Sequence, residues 1–492
     1  MKRLGIALSL VAVSVANAQA QKAAEDSAFA SNLRLYEIWV NEQMDYYHQP
    51  GVSIGLIHDQ DLIWAKGFGH RDVERQTPAT PATVYRIASI TKTFTATAIM
   101  QLRDAGRLQL DDPVAKHLSW FRYQNRFPDA PVVTVRHLLT HTSGLPREAD
   151  FPYWSDPSRF PTREEMIEAL HSQESVFEPE TRYKYSNLAL ALAGEVVAAV
   201  SGEPYAEYVQ RYILDPLGMS STYVRTEDID RDRLATGYEV MRPDGTQPVA
   251  PETDSKGLTP AANMSSTVED LARYISLQFR NGLAGGAQIL KGSTLREMRR
   301  VHWLEPDWSS GRGLGFGLWR QGTRTLVGHG GWVGGYRTQI AFDPEAKIGV
   351  VVLTNSDERG PGAYVSQAFD MLAPVIEQAP GREPVIASVS DPERYVGRYH
   401  DADGWSTDVL WFEGRLVMYG HGYPPSSNPK GALTDLTAEG EHTFRMTGEN
   451  GNGELVVFEM GDDGRVQRVK VGANYIFPED CGRIERLRCT WR

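Results

Sequence analysis

The sequence predicts a mixed α/β (α+β) body followed by a separate small antiparallel β domain, a barrel. Three observations carry this. Strand-like runs at 51–68 and between 313 and 353 bracket a long stretch whose most apolar segments, Ser89 to Leu102 and Leu188 to Val200, have helical length. Residues 378–391 hold Pro380 and Pro384 with few periodic apolar residues, the texture of a linker. Beyond it come short alternating runs separated by turn signals, as in an antiparallel barrel.

Residues 1–20 read as a secretory signal: Lys2 and Arg3, an apolar run from Leu4 to Val15, then overlapping small-residue cleavage sites at Ala16-Asn-Ala18 and Ala18-Gln-Ala20. The apolar run is too short to span a bilayer. The expected location is a bacterial periplasm or the cell exterior, with no integral membrane segment after signal removal; the later apolar run to Val200 is short and carries Glu195. With 51 basic and 63 acidic side chains the net charge is −12, so a phosphate backbone is repelled and nucleic acid is excluded as a partner. In an oxidising compartment Cys481 and Cys489 are expected to form a disulfide clipping the C-terminus, contributing about 2–3 kcal/mol; a catalytic thiol or metal pair is the weaker reading.

Residues 28–47 carry helical periodicity through Phe29, Leu33, Tyr36, Trp39, Val40 and Met44. Residues 51–57 and 61–68 read as two strands joined by a turn at 58–60. Gly51-Val-Ser53-Ile-Gly55 matches the Gly-x-Ser-x-Gly pattern, but a nucleophile elbow needs a helix directly after the serine. A strand follows here, so Ser53 is structural. From Ser89 onward Ile90, Phe94, Ala98 and Leu102 recur every four residues, with Gly106 as a stop. Lys92, three residues after Ser89, shares its face at the helix N-terminus. There the helix dipole and a partly desolvated amine favour an alkoxide. Ser427-Asn-Pro-Lys430 has the same spacing, but Pro429 makes it a turn.

His137 and His141, four apart, lack the glutamate and third ligand of a zinc site, so the expectation is a short helix capped by Gly144 with hydrogen-bonded histidines. Residues 151–161 read as an irregular loop and 164–171 as a helix. Tyr185-Ser-Asn187 opens the apolar 188–200 helix, whereas Tyr123-Gln-Asn125 lies in a charged loop. Thr267 to Asp270 reads as a capping box for the helix through 278. Residues 313–319 and 325–327 are expected strands leading to Gly328-His329-Gly330-Gly331-Trp332, where a backbone or ligand must come close. Strands follow at 336–342 and 348–353, and a closing helix at 365–377. In the tail, strands are expected at 395–399, 407–412, 416–419, 443–446, 455–460 and 466–471.

Ser89 with Lys92, Tyr185 with Asn187, and His329-Gly330-Gly331, in that order, resemble the three motifs of the serine β-lactamase and penicillin-recognising DD-peptidase superfamily. The branch it is most similar to holds class C β-lactamases, DD-carboxypeptidases, D-aminopeptidases and related esterases. The tail resembles the lipocalin-like barrel that some such peptidases carry. The resemblance implies an antiparallel sheet flanked by helices plus an all-helical part, with a hydrolase domain at 21–377, a linker at 378–391 and a barrel domain at 392–492. It implies that Ser89 is the acylating nucleophile and that Lys92 keeps it deprotonated and depresses the Tyr185 pKa. Tyr185 would shuttle the proton, and Asn187 would orient Lys92 and the substrate amide. The N–H groups of Ser89 and Trp332 would form an oxyanion hole, each donor worth ~2.7–4 kcal/mol, with Gly330 and Gly331 leaving room for substrate backbone.

Many β-lactamases have Lys where this chain has His329, whereas D-aminopeptidase-like relatives carry His. A neutral imidazole gives no permanent charge for a substrate carboxylate, so the position points away from β-lactamase activity proper, with Arg337 as the candidate compensating cation. The expected function is a secreted serine hydrolase without metal or cofactor, acting on amide bonds of small D-amino-acid-type peptides or on β-lactams, and secondarily on esters. A reading from another class is a non-catalytic protein that binds peptidoglycan fragments or small ligands. All three polar sites are filled, which favours the enzyme.

Overall fold

The computed structural model describes residues 27–153, 159–282, 286–378 and 391–479. The 1–20 segment, Cys481, Cys489 and residues 379–390 of the linker lie outside them. The chain forms two compact units, one of residues 48–365 and one that joins the chain up to Tyr47 with the chain from Ser366 onward.

The 48–365 unit is built on a nine-stranded antiparallel sheet. Its strands are β1 (Gly51–His58), β2 (Asp61–Asp72), β3 (Thr77–Pro78), β4 (Trp303–Leu304), β5 (Ser310–Arg312), β6 (Gly317–Gln321), β7 (Arg324–Val333), β8 (Tyr336–Asp343) and β9 (Ile348–Thr354), in the order β3-β2-β1-β9-β8-β7-β6-β5-β4. Every β9 residue and all but the last of β1 are buried, which is why these two strands read as near-continuous apolar runs rather than alternating ones. Ser53 sits inside β1 and is fully buried, its hydroxyl 2.9 Å from the Thr80 carbonyl and 2.8 Å from the Tyr85 hydroxyl, the structural role expected of it.

Helices α1 (Ser27–Tyr46), α2 (Thr91–Asp104), α3 (Val135–Thr140), α4 (Arg163–Ser172), α5 (Asn187–Ser201), α6 (Val268–Phe279) and α7 (Gly362–Met371) follow the expected segments closely. Within the 48–365 unit α2 packs on α5, and Phe94 stacks on Tyr274 with ring centroids 4.1 Å apart. Helix α2 is apolar on nearly every side because it is buried on nearly every side.

Several boundaries differ from expectation for local reasons. Helix α3 is ended by His141 in the left-handed conformation (φ 59°), not by Gly144. Residues 313–316 turn instead of extending, because Gly315 (φ +77°) reverses the chain, and the strand begins at Gly317. The expected closing helix is two, Gly362–Met371 and Ala373–Gln378. Thr267 caps the Asp270 N–H at 3.2 Å, but the Asp270 carboxylate accepts from Ser221 N (2.7 Å) and Thr222 Oγ1 (2.9 Å), so the reciprocal half of the capping box is not made.

The second unit holds α1, residues 366–378 and a closed barrel. Its eight antiparallel strands are β10 (Gly397–His400), β11 (Ser406–Phe412), β12 (Arg415–Gly420), β13 (Leu433–Ala438), β14 (Thr443–Thr447), β15 (Leu455–Met460), β16 (Val466–Val471) and β17 (Asn474–Pro478). β13 and β17 are the strands the sequence did not announce, and Tyr395 ends a helical turn rather than starting a strand. Aromatic and aliphatic side chains, including Tyr395, Tyr399, Phe444 and Phe458, fill the interior.

Helix α1 meets the barrel through a buried charge chain. Glu42 accepts from Tyr419 Oη at 2.5 Å; His421 lies 3.0 Å from Glu42 and 2.6 Å from Asp408, and Arg398 is 3.1 Å from Asp408. Burial pushes the Asp408 carboxyl up, but hydrogen bonds from His421 and Arg398 outweigh it and hold it low. His421→Leu leaves two buried carboxylates facing each other, so the expected loss is about 3–5 kcal/mol. Removing the solvent-screened Arg445 beside Glu439 should leave stability almost unchanged. Urea unfolding of the two variants checks the contrast.

No helix among the described residues is long and apolar enough to cross a membrane.

Candidate active site

The polypeptide enters the site through a strained residue. Ala88 precedes Ser89 with φ 46°, a left-handed conformation that costs a non-glycine residue roughly 1–3 kcal/mol. Two contacts hold it: Ile87 N donates to Met264 O at 2.9 Å, and Thr91 Oγ1 donates to Ala88 O at 2.6 Å. A helical turn at Ala88–Ile90 then runs into α2 and places Ser89 at its mouth.

Lys92, one turn on, is completely buried, with Nζ 2.9 Å from Ser89 Oγ; it donates to the Ala261 carbonyl at 2.7 Å. Burial drives its pKa well below the lysine range, the Arg147 guanidinium adds to this, and Glu148 opposes it. Desolvation thus shifts Lys92 toward the neutral amine, the form that acts as a base on the hydroxyl.

Tyr185 Oη donates to Ser89 Oγ at 2.8 Å from the segment that opens α5. Burial raises its pKa above the ordinary phenol value, and the hydrogen bond with Ser89 only partly offsets this. This corrects the sequence expectation of a depressed pKa: desolvation of the buried phenol outweighs every neighbour that would lower it, and Tyr185 stays a protonated donor. His141 stacks under its ring at 4.5 Å and Arg147 lies over it at 5.2 Å. The left-handed turn at His141 that ends α3 brings the imidazole there. His141 Nδ1 accepts the Ser186 N–H at 3.1 Å, while His137 lies 2.9 Å from Glu180, so each expected hydrogen-bonded histidine has its partner.

Asn187, the first residue of α5, donates its amide to Glu148 Oε1 at 2.7 Å, and its Oδ1 is buried without a hydrogen-bond partner among the described residues. The partner that fixes Lys92 is therefore Ala261 O, whereas the sequence reading gave that task to Asn187. Arg147 and Glu148, 3.1 Å apart, were not singled out from the sequence; they line a cleft of 560 Å³ with Ala149, Asp150, Phe151, Tyr153 and Gln173.

Strand β7 passes beside Ser89. A Cβ on Gly331 would fall 2.2 Å from Ile87 O, so only glycine lets this strand come so close to the turn before Ser89. Gly331 thus serves the fold, while Gly330 is exposed, and a Cβ there would meet only Thr338 O, at 3.6 Å. His329 Nδ1 donates to Gly330 O at 2.6 Å; burial, then Lys92, pushes its pKa down to about 3. It is a neutral imidazole at any ordinary pH. Trp332 is 55% exposed yet held through Nε1 to Asp357 at 2.7 Å. Arg337 packs over the Trp332 ring at 5.2 Å. The groups whose charge acts on His329 are Lys92 and Arg312.

The beta-lactamase family model matches residues 38–371. Beta-lactamase-like protein 2 of Dictyostelium discoideum is 31% identical over 66% of this chain, a match spanning 59% of that protein's length. An octameric penicillin-binding protein homologue from Pyrococcus abyssi superposes with TM-score 0.60 at 30% identity, covering 90% of this chain and 98% of that one. A D-stereospecific amidohydrolase from Streptomyces sp. gives TM-score 0.57 at 25% identity over 69% of this chain and 98% of that one. With well over half of its length matched by the family model and its fold shared with these structures, the chain belongs to the beta-lactamase family of serine hydrolases.

Proposed function

We propose that the protein is a secreted serine hydrolase that forms an acyl-enzyme on Ser89 and acts on amide bonds of small D-amino-acid-type peptides or on β-lactams. The observation that carries this is the double contact at one oxygen: Ser89 Oγ lies 2.9 Å from Lys92 Nζ and 2.8 Å from Tyr185 Oη. The two partners have opposite proton preferences. Neutral Lys92 takes the Ser89 proton as Oγ attacks the carbonyl carbon; Tyr185, a protonated phenol, gives a proton to the leaving nitrogen as the C–N bond breaks. The Lys92 ammonium then returns its proton to the Tyr185 phenolate. In sum, one proton passes from Ser89 to the leaving group. Water then adds to the ester, the same pair handles its proton, and Ser89 is released. The N–H groups of Ser89 and Trp332 are assigned to the developing oxyanion, a role supported by the tight approach of Gly331 to Ile87.

D-amino-acid substrates rank first because His329 is neutral and because the relative named as a D-stereospecific amidohydrolase shares the fold. Esters follow by the same chemistry. Export rests on residues 1–20, and the mature mass of the periplasmic or secreted protein tests it. The function is tested by intact mass after incubation with a β-lactam, a p-nitrophenyl ester and a D-alanyl anilide. The expected result is an adduct or burst with one class that disappears in Ser89→Ala. A folded protein that shows neither adduct nor turnover, and that a serine-directed phosphonate leaves unlabelled, would sink the reading.

A further inference from the structure

Tyr185 has to part with its proton at the moment the leaving group departs, and what it becomes then is a buried phenolate. A fixed positive charge beside the ring favours that anion. Arg147 stands over the Tyr185 ring, its guanidinium carbon 5.2 Å from the ring centre. Lys92 Nζ is 5.0 Å from the same centre, but the charge of an amine comes and goes with the proton it carries, whereas a guanidinium keeps its charge at every step.

The segment that carries Arg147 is fastened to the mouth of α5. Asn187 N and Leu188 N donate to the Arg147 carbonyl at 2.8 and 3.1 Å, and Ser186 Oγ donates to the Pro146 carbonyl at 2.6 Å. The side chain is held as well: Nε donates to Glu148 Oε1 at 3.1 Å, and that oxygen also accepts from the Asn187 amide at 2.7 Å. The three residues directly after Tyr185 thus place Arg147 over its ring. Burial apart, Arg147 lowers the pKa of both proton carriers, Lys92 and Tyr185, and Glu148 raises both; Tyr183 raises Tyr185, and the Ser89 hydrogen bond lowers it. His141, stacked on the ring, and His329, 6.5 Å from it, have depressed pKa values and face it as neutral imidazoles. Arg312 is turned onto the Tyr183 ring at 4.1 Å.

We propose that Arg147 is a positioning residue that acts through Tyr185 and makes the site competent for amides: it stabilises the phenolate formed as Tyr185 hands its proton to the leaving nitrogen and the C–N bond breaks, until the Lys92 ammonium returns a proton. The inference rests on the acyl-transfer reading above and adds the leaving-group class to it. A group that departs as a stable anion, such as p-nitrophenolate, takes no proton from Tyr185 and gains nothing from Arg147.

The test measures kcat/KM of the full-length protein on two substrates with one acyl group, D-alanyl p-nitroanilide and D-alanyl p-nitrophenyl ester. The guanidinium is half-exposed and partly screened, so Arg147→Gln should slow the anilide on the order of tenfold and the ester less than about twofold. Arg147→Lys should recover part of the anilide rate. The acid limb of the pH profile should move as well, with opposite signs. Without the cation Lys92 holds its proton to higher pH in Arg147→Gln; without the opposing carboxylate it releases the proton at lower pH in Glu148→Gln. Equal slowing of both substrates with the acid limb in place is what a purely structural role gives, and it overturns the proposal, as does an anilide rate unchanged in Arg147→Gln. Should Arg147→Gln fail to fold, an acid limb that Glu148→Gln leaves in place or moves upward overturns it. A parent that turns over the ester but not the anilide overturns this inference and leaves the hydrolase reading standing. A parent that turns over neither overturns it too, and phosphonate labelling of Ser89 then decides separately whether the hydrolase reading falls.

Discussion

Ser89→Ala is expected to abolish turnover, with a fall in kcat of roughly 10⁴–10⁶, while Ser53→Ala keeps most of the activity. Both serines sit in plausible sequence patterns, and both hydroxyls have two partners, so the contrast lies in what the partners are. Ser53 Oγ faces a backbone carbonyl and the Tyr85 phenol, inside a strand where no substrate carbonyl could reach it. Losing it removes hydrogen bonds worth about 1 kcal/mol each, a change in melting temperature rather than in rate. Ser89 Oγ instead faces an amine whose pKa burial lowers and a phenol whose pKa burial raises. Taking away that oxygen removes the atom on which both act. Steady-state rates on a p-nitrophenyl ester, with thermal melts of both variants, decide the matter, and the reverse pattern would move the nucleophile to the Gly-x-Ser-x-Gly strand.

What could be read from the sequence follows from how local each signal is. The helix that starts at Ser89 is announced by its own periodicity, and the Lys92 spacing puts amine and hydroxyl on one face without help from the rest of the chain. Ser53 could be set aside because an elbow has a local requirement, a following helix, that β2 violates. The residues missed are those placed by turns. Arg147 and Glu148 lie in a loop whose side chains have no period, and they matter only because Asn187, 39 residues on, donates to Glu148. His141 looked like half of a metal pair; a left-handed residue, invisible in composition, swings it under Tyr185. Arg312 was hidden for a further reason: its strand is three residues long, and the row it shares with Gly317 and Gly328 exists only once the sheet is assembled. The Tyr185 expectation failed on electrostatics. A cation beside a phenol lowers the phenol's pKa, but complete burial of Tyr185 raises it, and burial is the larger effect.

Burial of Lys92 also has the second large consequence. Lys92→Arg should lower kcat/KM by about 10²–10⁴, because a guanidinium cannot give up its proton near neutrality and cannot act as the base. The wild-type profile should carry the same signature. Activity rises with pH as Lys92 loses its proton, and since burial has depressed that pKa well below 10.5, the rise finishes far below the ordinary lysine range. The alkaline fall waits for Tyr185, whose pKa is raised, so it begins above the usual phenol value of about 10. His329, at about 3, and His141, well below 6.5, are neutral across the interval and add no limb near pH 6–7. The same shift fixes the sign for stability. The unfolded chain binds a proton at Lys92 up to pH 10.5 while the folded chain releases it earlier, so this group's contribution to stability falls as pH drops from 10.5 to the folded value. Rate profiles of the wild type and of Lys92→Arg on one ester substrate from pH 4 upward test this. An inflection near the ordinary lysine pKa would mean that Lys92 works as a cation and that another group removes the Ser89 proton.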